Sequence, residues 1–196
     1  MKKKEVMDVV FLLDRSGSMS GFEDDTIGGY NSYLKKIKDN DARVTTILFD
    51  HEYNMITNRV DIKDVKKLDN KTYYTRGNTA LLDAIGKAIN FMDKSNPKKV
   101  LFVITTDGYE NSSKEYTKEK IKELILGHSD WEFIYLGADI DSYREAASIG
   151  ISKDRTSNYT KSRKGIRKLY DTLGEVACDY AATSRISSSW KQSLEE

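Results

Sequence analysis

One cysteine, one proline and two histidines stand among 196 residues, and each scarcity closes off a class of protein. A lone thiol, Cys178, excludes an internal disulfide and suits a reducing compartment. His51 and His128 are the sole imidazoles and no G-x-S-x-G stretch occurs, so a serine hydrolase has neither its base nor its nucleophile turn. A G-x-x-x-x-G-K-[ST] phosphate loop is missing as well. Charge of one sign is also lacking: 32 Lys plus Arg against 31 Asp plus Glu leave a formal net charge of +1. Binders of nucleic acid or acidic membranes carry a basic excess, so neither partner is expected. No apolar run approaches the roughly 20 residues of a membrane span. The basic residues at 1–4 resemble the start of a signal peptide, but the apolar run at 9–13 is too short for one and Asp14 ends it. No repeat or linker interrupts the chain. The expectation is a single cytoplasmic domain over residues 1–183, then a polar, serine-rich tail at 184–196 that frays.

What is present is a folding composition, 38% hydrophobic and 32% charged, with clear periodicity. Apolar runs at 9–13, 100–104 and 133–136 are continuous rather than alternating, as in parallel strands buried on both faces. A fourth run at 44–49 passes through "DHEYN" into a weaker one at 55–60. So short a link predicts a hairpin and an antiparallel edge strand. Helical stripes recur at three- and four-residue steps: Ile27, Tyr30, Tyr33, Leu34 and Ile37; Leu82, Ile85, Ala88, Ile89 and Met92; Ile121, Leu124 and Ile125. The longest runs from Ile166 through Leu169, Tyr170, Leu173, Val176 and Ala177 to Tyr180. These stripes face a core and carry no chemistry. Strands alternating with helices predict an open, mostly parallel α/β sheet with right-handed crossovers and helices on both faces.

Ligands of such sheets bind beyond the carboxyl ends of the strands, where strand order reverses. After the first buried run comes "DRSGS", with Asp14, Ser16 and Ser18; after the 100–104 run comes "TTDG", with Asp107; before the second long helix comes "GNT", with Thr79. Asn78 or Thr79 is also suited to cap that helix. Three loops thus bring two carboxylates and three hydroxyls to one sheet edge. An all-oxygen set without Cys or His suits a hard cation: Mg²⁺ takes about six oxygens and usually keeps some water.

Asp-x-Ser-x-Ser at 14–18, Thr79 in "RGNTAL" and Asp107 in "ITTDG", in that order, resemble the metal-ion-dependent adhesion site of von Willebrand factor A domains. The resemblance covers residues 5–150, and the final helix completes the same fold. It implies a Rossmann-like sheet with a divalent cation on its upper edge, Mg²⁺ first with Mn²⁺ or Ca²⁺ possible. By it Ser16, Ser18 and Thr79 touch the metal, Asp14 and Asp107 bind directly or through water, and a partner protein's Asp or Glu completes the shell. Neutral hydroxyl ligands would leave the cation electrophilic toward that carboxylate.

Other residues have plainer readings. The acids of "FEDD" at 22–25 complement the dipole of the helix that follows, rather than extend the metal site. His51 with Glu52 reads as a solvated turn. Asp139 and Asp141 follow a buried strand, but Asp141 and the pair Ser142 and Glu145 form capping patterns. Lys161, Arg163, Lys164, Arg167 and Lys168 read as a solvated face, although cations gain nothing from the dipole at a helix start. Tyr74 and Tyr109, with Asn78 and Glu110 beside them, are candidates for a partner-binding rim. An Mg²⁺-dependent phosphotransferase is the competing class, because haloacid-dehalogenase-like phosphatases also begin with an Asp after the first strand. Ser16 stands where they need a second acid, and no Lys anchors phosphate. A regulatory subunit with a vestigial site is the third reading.

Overall fold

β1 (Met7–Asp14) is buried at every position, the condition that its unbroken apolar run predicts. It runs parallel between β2 (Ala42–Phe49) and β4 (Val100–Thr106), while β3 (Tyr53–Asp61) lies antiparallel along the outer side of β2. Beyond β4 come β5 (Trp131–Gly137) and β6 (Thr156–Asn158), both parallel. The computed structural model describes residues 5–195, and its sheet has six strands in the order β3-β2-β1-β4-β5-β6. The mostly parallel α/β sheet with one antiparallel edge is therefore as expected. The basic start at 1–4, read for a signal sequence, lies outside the described residues.

Among the described residues six α-helices accompany the sheet: α1 (Glu23–Ile37), α2 (Leu81–Asp93), α3 (Lys118–Gly127), α4 (Ser142–Ser148), α5 (Arg163–Thr183) and α6 (Gln192–Glu195). Alternation along β1 divides the core between them. Val9, Phe11 and Leu13 point into one layer with Tyr30 and Tyr33 of α1 and Leu169, Tyr170 and Leu173 of α5. Val10 and Leu12 point into the other with Ile85 and Ile89 of α2 and Ile121 and Ile125 of α3. Phe11 meets Tyr30, Tyr33 and Tyr170 at ring-centroid distances of 5.6, 5.2 and 6.1 Å. Burying a ring of this size contributes about 2–3 kcal/mol. Among the described residues no helix is long and apolar enough to cross a membrane.

Two expectations need correction. α2 is not capped by Asn78 or Thr79: its N-cap is Ala80, which offers no side-chain bond. The orphan amides of Leu82 and Asp83 instead donate to Glu110 Oε2 and Ser113 Oγ at 2.9 and 3.0 Å, from the loop after β4. Nor do residues 184–195, expected to fray, stand away from the domain. Ser184 ends α5 in the left-handed conformation, Ile186 and Trp190 join the α1/α5 layer, and Trp190 Nε1 donates to the Asp154 carbonyl at 2.8 Å. Lys191 adds to this, its Nζ donating to the Lys153 and Thr156 carbonyls at 2.9 Å, so a polar segment is held by a few anchored side chains.

Candidate metal centre

From β1 the chain crosses by α1 to β2 on one side, and later by α2 to β4 on the other. The loops leaving β1 and β4 diverge at this reversal and open a crevice at the strands' carboxyl ends. Asp14 is the last residue of β1 and is buried; the turn Gly17–Met19 follows at once. Its Oδ1 accepts the Ser16 amide at 2.7 Å, and its Oδ2 accepts the Thr106 hydroxyl, from the end of β4, at 2.6 Å. The Tyr73 hydroxyl donates to the Asp14 carbonyl at 2.7 Å. Burial pushes the Asp14 carboxyl up to about 6; hydrogen bonds from Ser16 and Thr106 oppose the rise, and the Asp107 charge adds to it.

The other oxygens close around this group. Ser16 Oγ and Ser18 Oγ lie 3.0 Å apart, and Ser18 Oγ donates to Asp107 Oδ1 at 2.5 Å. Thr79 is buried, its amide held by Asn111 Oδ1 at 2.9 Å and its carbonyl by the Asn111 amide at 3.0 Å. Gly108 permits the convergence: a Cβ there would stand 2.9 Å from Thr79 Oγ1 and 3.5 Å from Ser18 Oγ. The Gly17 amide donates to the Gly77 carbonyl at 3.0 Å, tying the first loop to the Thr79 loop. Asp14, Ser16, Ser18, Thr79 and Asp107 thus come together, although they leave three different elements.

Asp107 Oδ2 supplies the test of whether a cation fits. It is buried and receives no hydrogen bond. Lys161 Nζ approaches it to 2.7 Å as an ion pair, but outside hydrogen-bonding angles. A buried carboxylate that already draws a cation to one oxygen and a hydroxyl to the other, set beside further hydroxyls, is a donor set that fits a hard cation. Among the described residues no group of three or more His, Cys, Asp or Glu is placed to hold a metal, so a site here depends on its hydroxyls.

The neighbouring residues sort as follows. Tyr74 and Tyr109 are exposed, at 45% and 51%, and Asn78 is exposed beside them. Glu110 is not free for a rim, because it accepts from Leu82 N, Ser112 N, Ser113 N and Ser113 Oγ. Glu23, Asp24 and Asp25 occupy the first turn of α1, and Asp141 caps α4 by accepting from Arg144 N at 3.1 Å. His51 leans on Asp50, with Nδ1 3.3 Å from Oδ1. Arg163 and Arg167 are solvated, at 88% and 85% side-chain exposure, but Lys161 turns inward to Asp107. The misfit of cations at a helix start was the signal for Lys161. Thr106 carried no signal beyond its place in "TTDG".

A sequence profile of the von Willebrand factor type A domain matches residues 8–172. The chain has no match among curated protein sequences. Among solved structures, proximal thread matrix protein 1 from the mussel byssus is 18% identical with a TM-score of 0.66, over 89% of this chain and 46% of that one. Its form with a zinc-occupied MIDAS motif gives 17% identity and a TM-score of 0.64 over the same shares, 89% and 46%. The vWF domain of the type V pili tip protein Mfa5 from Porphyromonas gingivalis is 10% identical with a TM-score of 0.69, over 94% of this chain and 99% of that one. The chain spans less than half of the mussel protein, and at these identities the likeness is one of fold.

Proposed function

We propose, from the premise that this chain belongs to the von Willebrand factor type A domain family, that its crevice holds a divalent cation and uses it to capture a carboxylate of a protein partner. Domains of this family commonly act as protein-interaction modules and often carry a divalent metal, zinc in the mussel structure. The observation that carries the reading is the convergence of Asp14, Ser16, Ser18, Thr79 and Asp107 at the reversal of strand order, with Ser18 Oγ in reach of both Ser16 Oγ and Asp107 Oδ1. Asp14 and Asp107 would neutralise the ion, and the three hydroxyls would add no charge. A divalent ion held in this way supplies a Lewis-acidic point that attracts an incoming Asp or Glu.

The donors are all hard oxygens, which suits Mg²⁺, with Mn²⁺ and Ca²⁺ as alternatives, better than Zn²⁺. Thr106 and the Ser16 amide hold the Asp14 carboxylate in one orientation, and Asn111 does the same for the Thr79 backbone. Tyr74, Tyr109 and Asn78 would then select the partner from the rim. Titration calorimetry with MgCl₂ tests the reading: the wild type is expected to bind, and Asp14→Ala to bind at least about tenfold more weakly. Partner capture is expected to fail in EDTA. No heat from the wild type at millimolar Mg²⁺ overturns the cation site, and capture that resists EDTA moves the interface elsewhere.

A further inference from the structure

Lys161 is held on three sides at the mouth of the crevice. Its Nζ lies 2.7 Å from Asp107 Oδ2 and 3.8 Å from Asp139 Oδ2, with its side chain 17% exposed. Its Nζ also stands 5.5 Å from the centre of the Phe22 ring, within range of a cation–π contact. The backbone that carries it is fixed from both ends. The Tyr159 amide donates to the Gly137 carbonyl at 2.9 Å, and Ser162 caps α5 by accepting the Gly165 amide at 3.0 Å. A backbone so tied leaves movement to the four-carbon stem of the lysine. Asp139 stands ready on the outer side, 67% exposed and in the left-handed conformation at φ 56°.

We propose that Lys161 is a built-in competitor for the cation site: its ammonium holds Asp107 until a divalent ion displaces it onto Asp139. This rests on the cation reading above. Both cations draw on the same carboxylate: Asp107 Oδ2 is paired with Lys161, and Oδ1 accepts from Ser18, one of the hydroxyls that would hold the ion. Two like-charged groups do not share one carboxylate in a partly desolvated crevice without mutual repulsion. The ammonium leaves with its charge still paired, because the second carboxylate lies only 3.8 Å from its resting position. Lys161 therefore sets a threshold of divalent ion below which the site does not load. It also keeps two neighbouring acids, Asp14 and Asp107, from facing each other unscreened.

Calorimetric titration of MgCl₂ at one pH and one ionic strength, into the wild type, Lys161→Met and Lys161→Arg, tests this. Lys161→Met is expected to bind Mg²⁺ about tenfold more tightly than wild type, and Lys161→Arg, which keeps the charge, within about threefold of it. Asp139→Asn is expected to bind more weakly, having lost the place where the ammonium lands. If Lys161→Met folds poorly by circular dichroism, Lys161→Gln replaces it, and the rise in melting temperature on adding saturating Mg²⁺ is read as well. That rise is expected to be larger in the neutral variant than in wild type. Equal affinity in wild type and the neutral variant overturns the competition and leaves the cation site standing. Weaker binding by the neutral variant overturns it in favour of a helping role. No binding by any of the proteins overturns both readings.

Discussion

Asp50 is fully buried, and its carboxylate is completely engaged: Oδ2 accepts from Arg15 Nε at 2.8 Å and Arg76 Nε at 2.9 Å, and Oδ1 from the Glu52 amide at 2.6 Å. A buried charge persists only when it is paired and hydrogen-bonded in this way. Arg15 reads in the sequence as the spacer of Asp-x-Ser-x-Ser, yet its long side chain is buried. No pattern around position 15 announces this, because the partner lies 35 residues on. The metal-ligand candidates themselves were legible, since hydroxyls and acids directly after greasy strands are out of place as ordinary core. His128 gives a titratable case. Partial burial works against its charged form, but the Leu124 carbonyl and Asp93, whose Oδ1 lies 2.7 Å from Nε2, outweigh it and raise the His128 pKa. A raised histidine contributes stability below the unfolded value and loses it as pH climbs through the folded one. Asp93→Asn is therefore expected to lose about 1 kcal/mol or less in urea unfolding near pH 6, and almost nothing near pH 8.5. An equal loss at both would show the ion pair to be idle.

At the scale of elements, α2 depends on a loop that arrives much later in the chain. Glu110 and Ser113 take the amides of Leu82 and Asp83, and in return the Asp83 carboxylate accepts the amides of Lys114, Glu115 and Tyr116 at 2.9–3.0 Å. The helix start and the loop after β4 therefore form one reciprocal unit, which also contains Asp107 and Thr79. Glu110→Ala leaves a helix end uncapped and is expected to destabilise the protein by about 1–2 kcal/mol in urea unfolding. Glu110→Gln is expected to recover part of this, and a neutral result for Glu110→Ala would return the residue to the rim. Strands and long helices were legible because their apolar spacing is local. The cap of α2 was not, since its donors and acceptors lie 28 and 30 residues apart. β6 was not either: three residues, Thr156–Asn158, hold no apolar pattern and exist as a strand only by pairing with β5.

For the whole molecule, the chain reads as an α/β sheet because each crossover repeats the same alternation, and the two-layer core follows from which residues of β1 face which side. The docking of Trp190 escaped that logic, because its bed is made by other elements. The span of the contacts at the crevice has a further consequence. Ser18 meets Asp107 across 89 residues, Asp14 meets Thr106 across 92, and Tyr73 reaches Asp14 across 59. Contacts that close such large loops are slow to form, and no local segment contains enough of the oxygens to hold an ion by itself. A divalent ion would thus find its ligands only in a molecule already assembled, and it would stabilise by binding that form alone. Mg²⁺ is accordingly expected to slow unfolding in stopped-flow measurements while leaving the refolding rate within about twofold. Refolding accelerated in proportion to Mg²⁺ would mean that the crevice forms before the rate-limiting step. Otherwise the proposed ion would act as a latch thrown after the door has closed, and loading it would report that the chain has reached its native state.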